Sequence, residues 1–253
     1  MIHLTTQAQA LLALAAFGAG FVDAIAGGGG VITLPALLFA GLPPHLALGT
    51  NKGQSVFGSA AALVRYARSG LLDGKLARAT FPLGLVGSAI GAQLVLAVSP
   101  AALKVVVLVL LMGVAVFLAL SGKPGQARAP VSRPVLVASL LAFGLGAYDG
   151  FFGPGVGTFL IVAFVALLGR TLDRASADAK AVNFASNLAA VTLFASRGVV
   201  LWSVALPMAV AQAAGAWLGA HVTVRGGAKV VRPVALLVTV GLVARLVRDL
   251  WVG

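Results

Sequence analysis

Charged and polar side chains lie inside otherwise apolar stretches of this chain of 253 residues. Asp23 and Asp149 are the acids within these stretches, and Lys52 lies in the polar stretch 49–55 (GTNKGQS). A charge in an apolar segment is costly unless it is paired or hydrated, so such residues indicate a functional site. A lysine beside amide and hydroxyl groups is suited to contact an anion, whereas the alternative role for Lys52 is to extend to the membrane interface.

A second polar patch contains Asn183, Ser186 and Asn187, with Lys180 one turn earlier. It would supply neutral hydrogen-bond donors to the same anion, and Lys180 could join them. The side chains predicted to contact substrate are Asn51, Lys52, Gln54, Asn183 and Asn187. Three roles remain open for Asp23 and Asp149: carrying a coupling proton, binding a cation, or accepting hydrogen bonds from loop backbone.

Each acid precedes a run of glycines, 27–30 after Asp23 and 153–157 after Asp149. Glycines let the backbone turn sharply and leave N–H groups uncovered at the start of the next helix. Those donors and the positive end of the helix dipole suit an anion. Close helix packing is the alternative, and we prefer it for the pairs Gly87/Gly91 and Gly215/Gly219. The glycines predicted to contact substrate are Gly28, Gly29, Gly30, Gly153 and Gly155.

The composition places these residues in a membrane protein. The chain is 60% hydrophobic and only 9% charged, without cysteine. Its net charge of +12 does not indicate nucleic-acid binding, because the basic residues are scattered between apolar runs. Apolar segments cover residues 7–26, 31–42, 46–64, 79–98, 101–121, 134–152, 155–169, 179–196, 200–221 and 231–250. Segment 31–42 is too short to span a bilayer, which predicts a short helix that enters only partway.

The two halves of the chain repeat each other. The pattern FGxGxxD (17–23) recurs as residues 143–149, and the tract 87–92 (GSAIGA) recurs as residues 215–220 (GAWLGA). Asn51 and Asn183 are matched in the same way. Several matches in one order are strong evidence for an internal repeat. We therefore predict a first transmembrane repeat over 1–121, a cytoplasmic linker over 122–133, and a second repeat over 134–253.

The odd number of membrane crossings in each half and the distribution of basic residues both indicate that the second repeat is inverted. Each half crosses the bilayer an odd number of times, with its first two segments either spanning or forming a re-entrant hairpin. Placing the loop around Arg65–Arg78 in the cytoplasm brings 13 of the 18 Lys and Arg residues inside, while Arg245 and Arg248 fall outside. The 13 include Lys180, for which a place within its helix is the alternative. Both termini are then predicted on the outer face. The predicted fold is an all-α integral membrane protein of two inverted repeats, with about 8–10 embedded helical segments and broken or re-entrant short helices.

These motifs resemble the TauE/SafE family of sulfite exporters. The resemblance rests on Asp23 with its glycine run, on residues 49–54, on residues 146–155 (GAYDGFFGPG) and on Lys180-x-x-Asn183-x-x-Ser186-Asn187. It covers about residues 10–250. It implies a multi-pass permease of the bacterial inner membrane that exports a small anion such as sulfite, a sulfonate or a related organic acid. Inverted repeats with broken helices further suggest alternating access at a site near the midplane.

Other functional classes fit less well. An intramembrane enzyme is not expected, because the sequence has no nucleophile elbow, zinc motif or nucleotide-binding loop. A membrane scaffold or partner subunit would not need matched glycine breaks and polar patches. An anion channel remains the alternative mechanism. The expected partners are a small anion and the lipid bilayer, with a possible homodimer and without nucleic acid, cofactor or metal.

Overall fold

The computed structural model describes residues 4–120, 131–227 and 229, and this part of the chain is built from α-helices. In the first half they are α1 Thr6–Ala26, α2 Gly30–Phe39, α3 Pro44–Ser69, α4 Gly74–Leu96 and α5 Pro100–Leu120. In the second half they are α6 Pro134–Phe151, α7 Val156–Leu168, α8 Leu172–Ser196 and α9 Trp202–Gly226. The predicted all-α class is confirmed, whereas the tenth apolar segment and most of the linker lie outside the described residues.

The order of helix lengths repeats between the halves. In each half a helix of 21 or 18 residues is followed by a short one, α2 with 10 residues and α7 with 13, and then by two long ones. At 1.5 Å per residue, α2 is about 15 Å long and α7 about 20 Å long, both less than the thickness of a hydrocarbon core. The predicted short helix after the first glycine run is therefore present.

Four of the described helices are long and apolar enough to cross a membrane: α1, α4, α6 and α9. Their outer faces carry exposed apolar side chains such as Leu14, Val86, Leu140 and Val210. In water such a surface would be unfavourable, but in a bilayer it contacts lipid chains of the same polarity. Helices α3 and α8 are as long as these, but the polar patches lower their hydropathy, and most of these polar side chains are buried in protein.

Glycines allow the halves to contact each other along their backbones. A Cβ at Gly91 would lie 1.9 Å from the carbonyl oxygen of Ala147, and one at Gly219 would lie 2.3 Å from that of Phe21. Gly87 and Gly215 make equivalent contacts, so α4 packs on α6 and α1 packs on α9. The packing role predicted for these four glycines is confirmed.

Helices α3 and α8 run antiparallel across the centre. Near the start of α3, the hydroxyl of Thr50 accepts a hydrogen bond from the backbone N–H of Leu201, which follows the end of α8. Beyond the end of α3, the N–H of Asp73 bonds Asp178 near the start of α8. An inverted repeat requires this antiparallel arrangement of its third segments. The inversion of the complete halves and the division into repeats stay predictions.

One residue in the count of cytoplasmic charges was misplaced. Lys180 is fully buried within α8, where its ammonium group is paired with Asp23, so it is not a loop residue. The number of basic residues assigned to the cytoplasm falls from 13 to 12 of 18. The error arose because a lysine just before an apolar run resembles a flanking interfacial charge when its partner is distant in sequence.

The glycine contacts predict an asymmetric response to added methyl groups. Gly91→Ala would push a Cβ into the backbone of α6 and should destabilise the protein by about 1–3 kcal/mol. Gly144→Ala, on α6 itself, is the matched control, because a Cβ there meets no heavy atom within 4 Å. Thermal unfolding of the purified protein in detergent measures both. Equal melting temperatures for the two variants would contradict the backbone contact.

Candidate functional site

The two glycine breaks meet in the interior. A Cβ at Gly27 would lie 2.3 Å from the backbone of Gly157 and Thr158, and Gly30 packs against Pro154. The hydroxyl of Thr158 donates a 3.1 Å hydrogen bond to the carbonyl of Ala26, which joins the two breaks directly. Gly27 has φ +76°, a conformation that side chains with a Cβ rarely adopt. The first turns of α2 and α7 therefore lie at a shared centre.

Two ion pairs cross between the halves at this centre. The ammonium group of Lys52 on α3 lies 2.5 Å from the carboxylate of Asp149 on α6. The ammonium group of Lys180 on α8 lies 2.7 Å from the carboxylate of Asp23 on α1. The side chains of Lys52 and Asp149 are each only 3% exposed, and that of Lys180 is 0% exposed. Each half thus supplies the lysine that pairs with the aspartate of the other half.

The ion pairs indicate a register for the two predicted repeats. Lys180 follows Lys52 by 128 residues, the same interval that separates the glycine tracts at 87 and 215. With this register Asn183 is equivalent to Ser55 rather than to Asn51, and Asn187 is equivalent to Ser59. The amide of Asn187 lies 3.4 Å from the Ser59 hydroxyl. The structure therefore favours a different match for Asn183 than the one expected from residue type.

The remaining bonds to the carboxylates differ between the two pairs. Asp23 Oδ1 accepts the backbone N–H of Gly29 at 3.1 Å. Asp149 Oδ2 accepts the hydroxyl of Ser186, and Asn187 Oδ1 accepts a 3.1 Å bond from Lys52. The backbone contact proposed as one role for the acids is thus present at Asp23. The interfacial role considered for Lys52 is wrong, because its ammonium group is buried among polar partners.

A small polar cavity of about 30 Å³ lies between the ion pairs. This volume holds about two water molecules. The chain has three asparagines, and all of them contribute to the wall. The wall consists of Asp23, Gly30, Asn51, Lys52, Ser55, Asp149, Gly153, Val156, Asn183, Asn187 and Gln212.

Most of the predicted site residues are brought together here. Those on the cavity wall are Asp23, Asp149, Gly30, Asn51, Lys52, Gly153, Asn183 and Asn187. Four predicted contacts lie behind the wall in the described part of the chain: Gly28, Gly29, Gly155 and Gln54. The N–H of Gly29 is used by Asp23, and the amide of Gln54 donates to Asn51 at 3.1 Å. Gly155, with φ +86°, caps the start of α7 and faces Val114.

Sequence reasoning missed Gln212 of α9. Its side chain is 2% exposed, its Oε1 has no hydrogen-bond partner within the described residues, and it lines the cavity. A glutamine inside the apolar run of α9 was the available signal, and an unpaired buried amide is costly enough to demand a partner. Ser55 and Ser186 were assigned to the polar patches but not to the set of residues predicted to contact substrate.

Comparison with known proteins agrees with this arrangement. The protein family described as "Sulfite exporter TauE/SafE" matches residues 12–246. This chain belongs to the TauE/SafE family. No solved structure matches it.

Curated relatives of this TauE/SafE protein cover nearly its whole length. The "Probable membrane transporter protein ORF9" of Sinorhizobium sp. is 39% identical over 100% of both chains. A "Probable membrane transporter protein" of Haemophilus influenzae is 37% identical over 95% of this chain and 94% of its own. The "Probable membrane transporter protein YfcA" of Escherichia coli K12 is 37% identical over 91% of this chain and 86% of its own. The TauE/SafE chain is therefore a multi-pass membrane transporter.

The two ends of the α3–α8 pair in this TauE/SafE protein are built from different chemistry. At one end, Arg170 between α7 and α8 pairs with Asp73 and lies 3.0 Å from Asp178. The hydrogen bond from Arg170 lowers the pKa of Asp73, which also accepts the N–H groups of Leu76 and Lys75 at the start of α4. At the matching positions of the other end, 128 residues away, stand Leu42, Thr50 and Leu201.

That other end is apolar. Leu42 and Leu48 belong to a buried cluster with Phe194 and Val200, and only the bond between Leu201 and Thr50 is polar among the matching positions. The two ends of this helix pair are therefore held by different contacts, one by charges and one by hydrocarbon. The charged end lies on the side predicted to be cytoplasmic from the basic residues.

The buried ion pair predicts compensation between its members. Lys52→Met leaves the Asp149 carboxylate uncompensated in the interior and should destabilise the protein by about 3–5 kcal/mol. Adding Asp149→Asn removes that charge and should restore much of the loss. Lys75→Met, at an exposed position, is the matched control. Melting temperatures of the unmodified protein, both single variants, the double variant and the control measure the coupling, and additive losses in the double variant would rule out the pair.

Proposed function

We propose that this protein is a secondary permease that exports a small anion across the bacterial inner membrane by alternating access. The substrate would bind in the cavity between the two halves. The observation that carries the proposal is the meeting of Lys52, three asparagines and the first turns of two short helices at one polar cavity. A second lysine, Lys180, pairs with Asp23 on its wall. Buried donors and helix N-termini favour negative charge.

The chemistry of the wall supports a small oxyanion. Lysine ammonium groups, amide groups and the N–H of Gly30 all donate hydrogen bonds, and an anion with several oxygens can accept from several at once. The two carboxylates on the wall are occupied by lysines, so they do not face the substrate as free charges. Sulfite, sulfonates and related organic acids have the oxygens that such a wall would bind. The family description "Sulfite exporter" supports the same class.

The size of the cavity supports a carrier over a channel. A sulfur oxyanion has more heavy atoms than the two water molecules that the cavity could hold. Binding would therefore require the halves to separate, and the differently built closures at the two ends provide separate places for this to happen. A continuous pore, which the channel mechanism needs, would have to open both closures together.

Flux into liposomes that contain only this protein tests the proposal. We expect uptake of sulfite, or of a small sulfonate, to saturate with concentration and to be accelerated by unlabelled anion on the opposite side. A channel would give non-saturating flux without such counterflow. A scaffold would give no flux above that of empty liposomes.

Gln212 should contribute to anion affinity. Gln212→Ala removes a buried amide at the cavity, and the loss of one hydrogen bond to a charged group should weaken binding about tenfold or more. Gln93→Ala is the matched control, because Gln93 is exposed on α4. The half-saturating anion concentration in the liposome assay measures both variants. An unchanged value for Gln212→Ala would remove it from the site.

The charged closure should control access from its own side. The chain has no cysteine, so Ser55→Cys places a single thiol on the cavity wall. In that background, Arg170→Ala should speed labelling by a membrane-impermeant thiol reagent from the Arg170 side about fivefold, since a partly exposed ion network contributes about 1 kcal/mol. Arg174→Ala, an exposed arginine on α8, is the control. Faster labelling from the opposite side would contradict this role.

A further inference from the structure

We propose that Asp149 is the proton-binding site of the transporter and that it takes up one proton with each monovalent substrate anion. This inference rests on the proposed function, because it names how the anion at that site is neutralised. It starts from the charge of the closed site. Two lysines and two aspartates face one another there, so the site without substrate is neutral.

An anion that enters a neutral, buried site leaves one negative charge uncompensated. Such a charge costs several kcal/mol in a protein interior. If a carboxylate of the site binds a proton from water, the total charge returns to zero and its lysine can donate to the anion. Protonation and anion binding then stabilise each other, and this linkage is reciprocal.

The hydrogen bonds distinguish the two carboxylates. Both partners of Asp23, the N–H of Gly29 and the ammonium of Lys180, are donors only. A proton on Asp23 would therefore point at another donor unless the carboxyl group turned away. Asp149 instead has Ser186, whose hydroxyl can donate to a carboxylate and accept from a carboxylic acid.

Ser186 has a second acceptor within reach. Its oxygen lies 3.0 Å from the backbone carbonyl of Asn183 as well as beside Asp149 Oδ2. One hydroxyl proton cannot serve both acceptors fully. When Asp149 is ionised, the hydroxyl donates to the carboxylate. When Asp149 is protonated, the acid donates to Ser186 and Ser186 donates to Asn183, so every group keeps a partner.

The repeat register shows that this arrangement belongs to one pair. Gly58 stands 128 residues before Ser186, so the first half has no hydroxyl at the matching position. Instead of a hydroxyl, the backbone N–H of Gly29 donates a hydrogen bond to Asp23. Asp23 would then keep a fixed, structural role. Asp149, whose hydroxyl partner can either donate or accept, would carry the coupling proton.

The surroundings of Asp149 add few other ionisable groups. Lys52 faces it from α3, Lys180 and Asp23 lie across the cavity from α8 and α1, and Tyr148 is its neighbour on α6. The contact from α4 is the backbone of Ser88 against Gly150. When Asp149 is neutral, Lys52 retains Asn187 and has donors available for the anion.

Proton movement in liposomes tests the inference. An outward gradient of a small monovalent sulfonate should drive protons in the same direction, seen with an entrapped pH dye, at one proton per anion. Apparent affinity for the anion should tighten as the pH falls, by up to about tenfold for each pH unit. Asp173→Asn, an acid outside the cavity at the start of α8, should behave as the unmodified protein.

Two variants separate coupling from folding. Asp149→Asn should abolish anion-driven proton movement and make anion exchange independent of pH. Ser186→Ala keeps the carboxylate but removes the hydroxyl that bonds both of its forms. Because the bond to the ionised form is the stronger of the two, the pH profile should move to higher pH. If Asp149→Asn does not fold, the stoichiometry of the unmodified protein and the shifted profile of Ser186→Ala still decide the question.

The outcomes distinguish this inference from the proposed function. Saturable anion flux without any proton movement would leave the transporter in place and overturn the coupling. Proton movement that persists in Asp149→Asn would overturn the assignment to Asp149. If the unmodified protein moves none of the anions tested, the proposed function itself fails.

Discussion

Four charges stand in the interior of a molecule whose outer surface is suited to lipid, and they are tolerated because each is paired across the midline. Lys52 bonds Asp149 and Lys180 bonds Asp23, so neither half neutralises its own charges. Separated from the other, each half would leave a buried lysine and an aspartate without a partner of opposite charge. This requirement holds the two halves together at their centre, while the glycine contacts of α4 with α6 and of α1 with α9 fix their distance.

The same pairing explains how the centre could open and still stay stable. An anion can take the place of a carboxylate beside a lysine, because both offer negatively charged oxygens to an ammonium group. Exchange of one oxygen ligand for another costs less than breaking the pair outright. The helices α2 and α7 begin beside these pairs, and their uncovered dipoles favour the same sign of charge. A rocking motion of the halves would therefore pass through states in which the lysines remain partnered.

The sequence predicted the fold class and the convergence of glycine breaks more completely than the partners of the charges. Composition and helix lengths follow from local physics, so the short α2 and the matched halves could be recognised from residues. The partner of Lys180 could not, because Asp23 precedes it by 157 residues and the pairing depends on how the halves pack. Gln54 was assigned to the wall from its place in the motif, yet the helix rotates it behind Asn51.

The differences between the repeats are as informative as the match. Ser186 stands where the first half has Gly58, and Arg170 stands where it has Leu42. A perfectly symmetric pair of repeats would place the inward-open and outward-open states at equal free energy and give the two acids the same partners. Here the closures differ in chemistry and the acids differ in their hydrogen bonds. In the proposed mechanism, a symmetric scaffold would supply the two alternative openings, and these few unmatched residues would give each opening its own dependence on charge, salt and pH.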